Sequence, residues 1–198
     1  MGEMMRQVLT ILLLCLAVTA NAAENNQLFI LDASGSMWGR IDGTPKINVA
    51  KEVMSRLVQD LPAESKTGLM AYGHRRKGDC SDIESLVGLG PLNRDALIER
   101  IQGLNPKGKT PITDAVKQGV QQLRQLEESA SVVLISDGLE SCGGDPCEAV
   151  KAAKKSGVDF TLHVVGFDLG DANPAQLRCM AEAGEGEFFT AANADELT

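Results

Sequence analysis

Leu28-Phe29-Ile30-Leu31-Asp32-Ala33-Ser34-Gly35-Ser36 decides the reading of this chain. Its first four residues form a short, wholly apolar run, the pattern of a parallel strand buried on both faces. One carboxylate and two hydroxyls follow at alternate positions, so they leave the strand's carboxyl end together. Open α/β sheets place their ligand sites at such ends. An oxygen-only set of this kind suits one hard divalent cation, Mg²⁺ ahead of Ca²⁺ or Mn²⁺.

Outward from that strand, apolar runs alternate with amphipathic stretches. A helix is predicted over 46–61, with Ile47, Ala50, Val53, Met54, Leu57, Val58 and Leu61 at helical spacing and Pro62 ending it. Strands are predicted at 68–73 and, after a short basic loop, at 83–87, the latter returning antiparallel at an edge. Asn93 caps a helix to about Leu104. Thr110-Pro111 opens another, with Pro111 at the first helical position, running to about Leu126. The central strand is 131–136. Asp145-Pro146 caps a helix ending near 156–157, a strand occupies 160–167, Asn173-Pro174 starts a helix to about Ala183, and 187–190 is a last short strand. The expected fold is α/β: a doubly wound, mostly parallel six-stranded sheet with one antiparallel edge strand and helices on both faces. In the strand order 3-2-1-4-5-6 the strands leading to Asp32 and Asp137 are neighbours, and the crevice between them is the topological switch point.

Residues 1–22 read as an export signal: Arg6, an apolar core from Val8 to Val18 too short for a comfortable membrane span, and Ala20-Asn21-Ala22 as the cleavage site. Glu3 offsets Arg6, an objection that a start at Met4 or Met5 removes. Leu14 before Cys15 argues against lipidation. The domain is then 23–198, periplasmic or secreted, with no membrane span of its own. Ala194-Asp195-Glu196-Leu197-Thr198 reads as the first turn of a truncated helix, so the natural chain is expected to continue. A net charge of −8 argues against nucleic acid or an anionic membrane as partner. The exported part holds four cysteines, Cys80, Cys142, Cys147 and Cys179, which favours two disulfides over zinc. The sheet order favours Cys80–Cys142 with Cys147–Cys179. A Cys142–Cys147 loop is the alternative, and it would leave Cys80 to reach Cys179 across the sheet.

Three segments converge on one edge of this layout: Asp32, Ser34 and Ser36; Thr110 in Lys107-Gly108-Lys109-Thr110-Pro111; and Asp137 in Ser136-Asp137-Gly138. With these residues the chain resembles the von Willebrand factor type A domain from Leu28 to about Thr190. D-x-S-x-S, a later threonine and an aspartate after the fourth strand form that family's metal-ion-dependent adhesion site. Ser36-Met37-Trp38-Gly39 and the stretch from Ser136 to Cys142 look like those of exported bacterial members. The resemblance implies that Ser34, Ser36 and Thr110 bind the cation directly or nearly so, that Asp32 and Asp137 often act through water, and that a protein partner's Asp or Glu carboxylate completes the coordination. Independently, neutral hydroxyls with only two carboxylates leave a divalent cation under-neutralised and attractive to an external anion.

Trp38 reads either as a rim contact or as packing over the turn at 39–43. Arg75 and Arg76, in the basic stretch from His74 to Lys77, read either as steering an acidic partner or as a solvated hairpin loop. His163 reads as a satisfied core residue, Asp42-Gly43 as a turn and Asp145 as a helix cap. Two rivals remain beside a non-catalytic metal-dependent binding domain. One is a metal-dependent hydrolase or phosphatase-like enzyme. Against it, Ser34 stands where a phosphatase wants a second acid, and no G-x-S-x-G or phosphate loop occurs. The other is a module whose metal only staples loops. A coordination position open to solvent favours binding; a closed one favours the staple.

Overall fold

All of β1 (Asn26–Asp32) except Gln27 is buried, as a strand covered on both faces must be. Its side chains alternate between two cores. Leu28 and Ile30 pack with Ile112, Val116, Val150 and Leu177, whereas Phe29 and Leu31 pack with Ile47, Met54, Leu97 and Ile101. A fully buried side chain of this size contributes roughly 1.5–3 kcal/mol, so this strand anchors both layers at once. The computed structural model describes residues 26–191 apart from 125, 127 and 171. The expected signal segment at 1–22 and the truncated helix at 194–198 lie outside the described residues.

After β1 come a 3₁₀ turn (Gly35–Trp38), a two-stranded ribbon (Arg40–Ile41 with Thr44–Pro45), α1 (Lys46–Asp60), β2 (Lys66–Tyr72), β3 (Ile83–Pro91), α2 (Arg94–Gln102) and α3 (Ile112–Leu123). The chain continues through β4 (Ala130–Ser136), α4 (Pro146–Lys155), β5 (Phe160–Phe167), α5 (Ala175–Ala183) and β6 (Glu185–Ala191). The sheet order is β3-β2-β1-β4-β5-β6. Every neighbouring pair is parallel except β2 with β3. This is the expected doubly wound sheet with one antiparallel edge, and β1 and β4 lie side by side.

The differences are local. β3 runs to Pro91 rather than stopping near Val87, because an edge strand pairs through its backbone and tolerates Gly88, Gly90 and Pro91; its register on β2 is irregular around Leu69. Pro111 stands just before α3 as its cap residue instead of at the first helical position, and the helix ends at Leu123, short of Leu126. Thr110 before it is held by Ser141 through both its N–H and its C=O, which keeps that segment out of the helix. Asp145 accepts from the Glu148 N–H and Asn93 from the Ala96 N–H, so both act as helix caps as predicted. Asp42 and Gly43 both have positive φ, making the expected turn. His163 is only half buried, and its Nδ1 accepts from the Glu187 N–H of β6. Among the described residues no helix is long and apolar enough to cross a membrane.

Candidate functional site

The end of β1 delivers Asp32 into the crevice beside β4 with its side chain fully buried. The backbone turns sharply there: Asp32 Oδ1 accepts from the Ser34 N–H at 2.7 Å, an Asx-type closure that fixes the loop. Oδ2 accepts from the Ser136 hydroxyl at 2.6 Å, and that hydroxyl in turn accepts from Tyr72 Oη at 3.2 Å. Ser34 Oγ and Ser36 Oγ stand 3.0 Å apart. Ser36 Oγ donates to Asp137 Oδ1 at 2.6 Å across the β1/β4 crevice. Asp32, Ser34, Ser36 and Asp137 therefore form one continuous oxygen cluster. Asp32, Ser34 and Asp137 are buried, while Ser36 is exposed, so the cluster opens to solvent on the Ser36 side.

Thr110 reaches this edge on the neighbouring loop. Gly35 N–H donates to Gly108 C=O at 3.0 Å, and Gly108 N–H donates to Gly73 C=O at 2.7 Å. This stacks the 107–110 loop between the β1 and β2 ends. Two glycines permit the stacking. Gly73 has φ +71° and lies where a Cβ would come within 2.6 Å of Lys109 C=O, and a Cβ on Gly108 would come within 2.6 Å of Arg76 C=O. The loop after β4 completes the frame. Ser141 Oγ accepts from Thr110 N–H, Ser141 N–H donates to Thr110 C=O, and Glu140 accepts from Thr113 N–H at 2.7 Å.

Electrostatics set this cluster apart. Burial, and then the nearby charge of Asp137, push the Asp32 carboxyl up to about 6; its hydrogen bonds from Ser136 and Ser34 act the other way. Two carboxylates sharing a buried crevice are relieved by a cation. One is built in: Lys46 Nζ lies 3.2 Å from Asp137 Oδ2 and 3.0 Å from Asp168 Oδ2. Burial would lower the Lys46 pKa, but Asp168 and Asp137 outweigh it and raise it. Among the described residues no group of three or more His, Cys, Asp or Glu is placed to hold a metal ion. A cation here would depend on the hydroxyls of Ser34, Ser36 and Thr110 together with the two aspartates. That donor set fits a hard, oxygen-seeking ion that keeps part of its water.

The rim residues fall into two kinds. Trp38 is half exposed beside the cluster, its Nε1 donating to Pro106 C=O at 2.9 Å. Arg75 and Arg76 are not free charges. Arg75 pairs with Asp82 at 2.7 Å and Glu84 at 3.1 Å, and Arg76 with Asp79 at 2.7 Å. Burial raises the Asp82 pKa, but the Arg76 N–H together with the Arg75 side chain and N–H more than offset it and hold the carboxyl below the usual range. His74 is bound to Glu84 at 3.0 Å. Cys80 bonds Cys142, tying the β2–β3 loop to the loop after β4, and Cys147 bonds Cys179, tying α4 to α5. Sequence reasoning missed Ser136, Lys46, Asp168, Glu140 and Ser141 as contributors: Ser136, Glu140 and Ser141 lie in the stretch quoted around Asp137 and Asp168 directly follows the strand at 160–167, whereas nothing local marks Lys46.

A family model described as the von Willebrand factor type A domain matches residues 28–198. The uncharacterized protein YwmC of Bacillus subtilis (strain 168) is 32% identical over 182 residues, 87% of this chain and 79% of that protein. The pilus adhesin SpaC of Lactobacillus rhamnosus GG superposes with a TM-score of 0.70 at 16% identity, covering 89% of this chain and 29% of the adhesin. The vWF domain of the type V pili tip protein Mfa5 of Porphyromonas gingivalis superposes with a TM-score of 0.65 at 15% identity, covering 86% and 91%. At these identities the two structural likenesses establish the fold.

Proposed function

The chain belongs to the von Willebrand factor type A family, and from that premise we propose that it is a non-catalytic, divalent-metal-dependent protein-binding domain of an exported protein. The observation that carries this reading is the oxygen cluster at the β1/β4 switch point, buried at Asp32 and Asp137 and open to solvent at Ser36. Ser34, Ser36 and Thr110 supply neutral oxygens. Asp32 already accepts one bond on each carboxylate oxygen, which suits it to hold a metal-bound water rather than the metal. Mg²⁺ fits so few charges better than Ca²⁺, and Mn²⁺ shares its geometry. When bound, the ion supplies a positive centre that a partner's Asp or Glu carboxylate completes.

The opening at Ser36 favours this reading over a metal that only staples loops. Two disulfides support an oxidising, extracytoplasmic setting. Pilus adhesin and pilus tip proteins among the structural neighbours support a role in protein interaction. His74, the histidine that a hydrolase would bring to the serines, is committed to Glu84.

Calorimetry with Mg²⁺, Ca²⁺ and Mn²⁺ tests the site: one binding event in the wild type and none in Asp32→Ala with its circular dichroism intact. Capture of a partner from envelope extract should then be lost in chelator and in Asp32→Ala. Metal binding unchanged in that variant would sink the assignment, and capture persisting in chelator would leave the metal a staple.

A further inference from the structure

Lys46 is an unusual residue for its place. It is the first residue of α1, beside the positive end of the helix dipole, where a cation is disfavoured. Its side chain is nevertheless only 13% exposed. Nζ meets Asp137 Oδ2 at 3.2 Å, Asp168 Oδ2 at 3.0 Å and the Asp168 carbonyl at 2.8 Å. Two further features accommodate it. Asp168 sits at φ +44°, a left-handed conformation that costs a non-glycine residue energy and persists where the surroundings demand it. Gly39 leaves room for the lysine stem, since a Cβ there would come 3.2 Å from Lys46 Cε. Three local penalties thus converge on one contact at the edge of the oxygen cluster.

We propose that Lys46 sets the charge of the site and so its demand for an anionic ligand, an inference that rests on the metal-binding reading. Asp137 divides its oxygens: Oδ1 accepts from Ser36, and Oδ2 faces the ammonium. The carboxylate is therefore partly neutralised before any ion arrives. Asp168, the other anion on Lys46, is 34% exposed, so water weakens its hold and it offsets only part of the lysine charge felt in the buried crevice. A divalent cation bound by the serine hydroxyls then keeps more of its positive charge. It is held less tightly, and it attracts an external carboxylate more strongly. Lys46 acts through Asp137 and the local field as a specificity-determining residue.

Mn²⁺ affinity is measured by calorimetry on the wild type, Asp32→Ala, Lys46→Met and Asp168→Asn, with and without acetate as the carboxylate probe. Lys46→Met should bind Mn²⁺ on the order of tenfold more tightly. Asp168→Asn, which leaves Asp137 as the charged partner of the lysine while the carbonyl of residue 168 still accepts from Nζ, should bind it a few-fold more weakly. Acetate should tighten Mn²⁺ binding more in the wild type than in Lys46→Met, by the reciprocity of linked binding. A purely structural lysine would give weaker metal binding in Lys46→Met, or none of these changes, and that result overturns the inference while wild-type binding lost in Asp32→Ala keeps the metal reading. If the wild type shows no Mn²⁺ binding that Asp32→Ala removes, the metal reading fails and this inference with it. Should Lys46→Met not fold, Asp168→Asn decides alone: unchanged affinity overturns the proposal.

Discussion

Ser36 Oγ donates a 2.6 Å hydrogen bond to Asp137 Oδ1, joining residues 101 positions apart across the crevice between β1 and β4. Ser36 is the exposed member of the cluster, so its hydroxyl contributes little to the core. Replacing it should separate metal binding from folding. Ser36→Ala is expected to weaken Mg²⁺ or Mn²⁺ binding by at least tenfold and to cost the metal-free fold only about 1–2 kcal/mol, for the hydrogen bond lost to the Asp137 carboxylate. Titration calorimetry and urea melts on the same preparation check both halves. Full metal affinity in Ser36→Ala would remove this residue from the site.

The architecture was legible because the chain is locally consistent with it. The β1 run is apolar at every position from Leu28 to Leu31 and is buried on both faces, and Asn93 and Asp145 occupy helix starts and cap them. Sheet order also led to the observed cysteine pairs, since β2 and β4 flank β1 and bring the loops bearing Cys80 and Cys142 to one edge. The surroundings of the site were less visible. Lys46 meets Asp137 and Asp168 across 91 and 122 residues, and nothing near Lys46 in sequence announces either partner. Arg75 and Arg76 read as a basic cluster although their acids, Asp79, Asp82 and Glu84, follow within the same loop and the start of β3; which acid each arginine meets is decided by how that loop folds back. Long-range ion pairing is set by the fold and not by local pattern.

The raised carboxyl of Asp32 predicts a pH dependence. In the folded chain burial pushes it up to about 6, well above the usual aspartate range, so the folded state binds this proton more tightly than the unfolded state. The stabilising contribution is complete below about pH 4 and is lost as the pH rises through about 6, with a ceiling of ~3 kcal/mol. Without metal, the stability of wild type relative to Asp32→Asn should therefore fall between pH 4 and pH 7. Saturating Mg²⁺ should flatten the trend, because the ion replaces the proton. Urea denaturation at pH 4, 5, 6 and 7, with and without Mg²⁺, measures it. A difference that stays level with pH in the metal-free protein contradicts the assignment.

The basic loop makes a different prediction, one of stability. The Asp82 side chain is fully buried and accepts from Arg75 N–H at 2.7 Å, Arg76 N–H at 2.8 Å and Arg75 Nε at 2.7 Å. Asp82→Ala leaves two backbone donors and a guanidinium without their acceptor and should cost about 3 kcal/mol. Arg76→Glu breaks only exposed contacts, to Asp79 and Ser81, and should cost about 1 kcal/mol or less. Thermal and urea melts of the two variants should separate clearly; equal midpoints would refute the anchoring role of Asp82.

The two disulfides should prove unequal in function though similar in stability. Closing loops with separations of 62 and 32 residues, each is expected to contribute about 4 kcal/mol on the chain-entropy account. Only Cys80–Cys142 is tied to the site. It holds the loop on which Ser141 grips Thr110, accepting its N–H at 2.9 Å and donating to its carbonyl at 3.1 Å. Cys147–Cys179 joins α4 to α5, and α5 reaches the site loop through Gln176 Oε1, which accepts from the Glu140 N–H, rather than through the cystine. The double variant Cys80→Ser/Cys142→Ser should therefore lose stability and also bind Mg²⁺ several-fold more weakly, as Thr110 relaxes. Cys147→Ser/Cys179→Ser should lose comparable stability and keep its metal affinity. Calorimetry well below both melting temperatures separates the two effects, and equal metal affinity in the two variants would detach the Cys80–Cys142 bridge from the site.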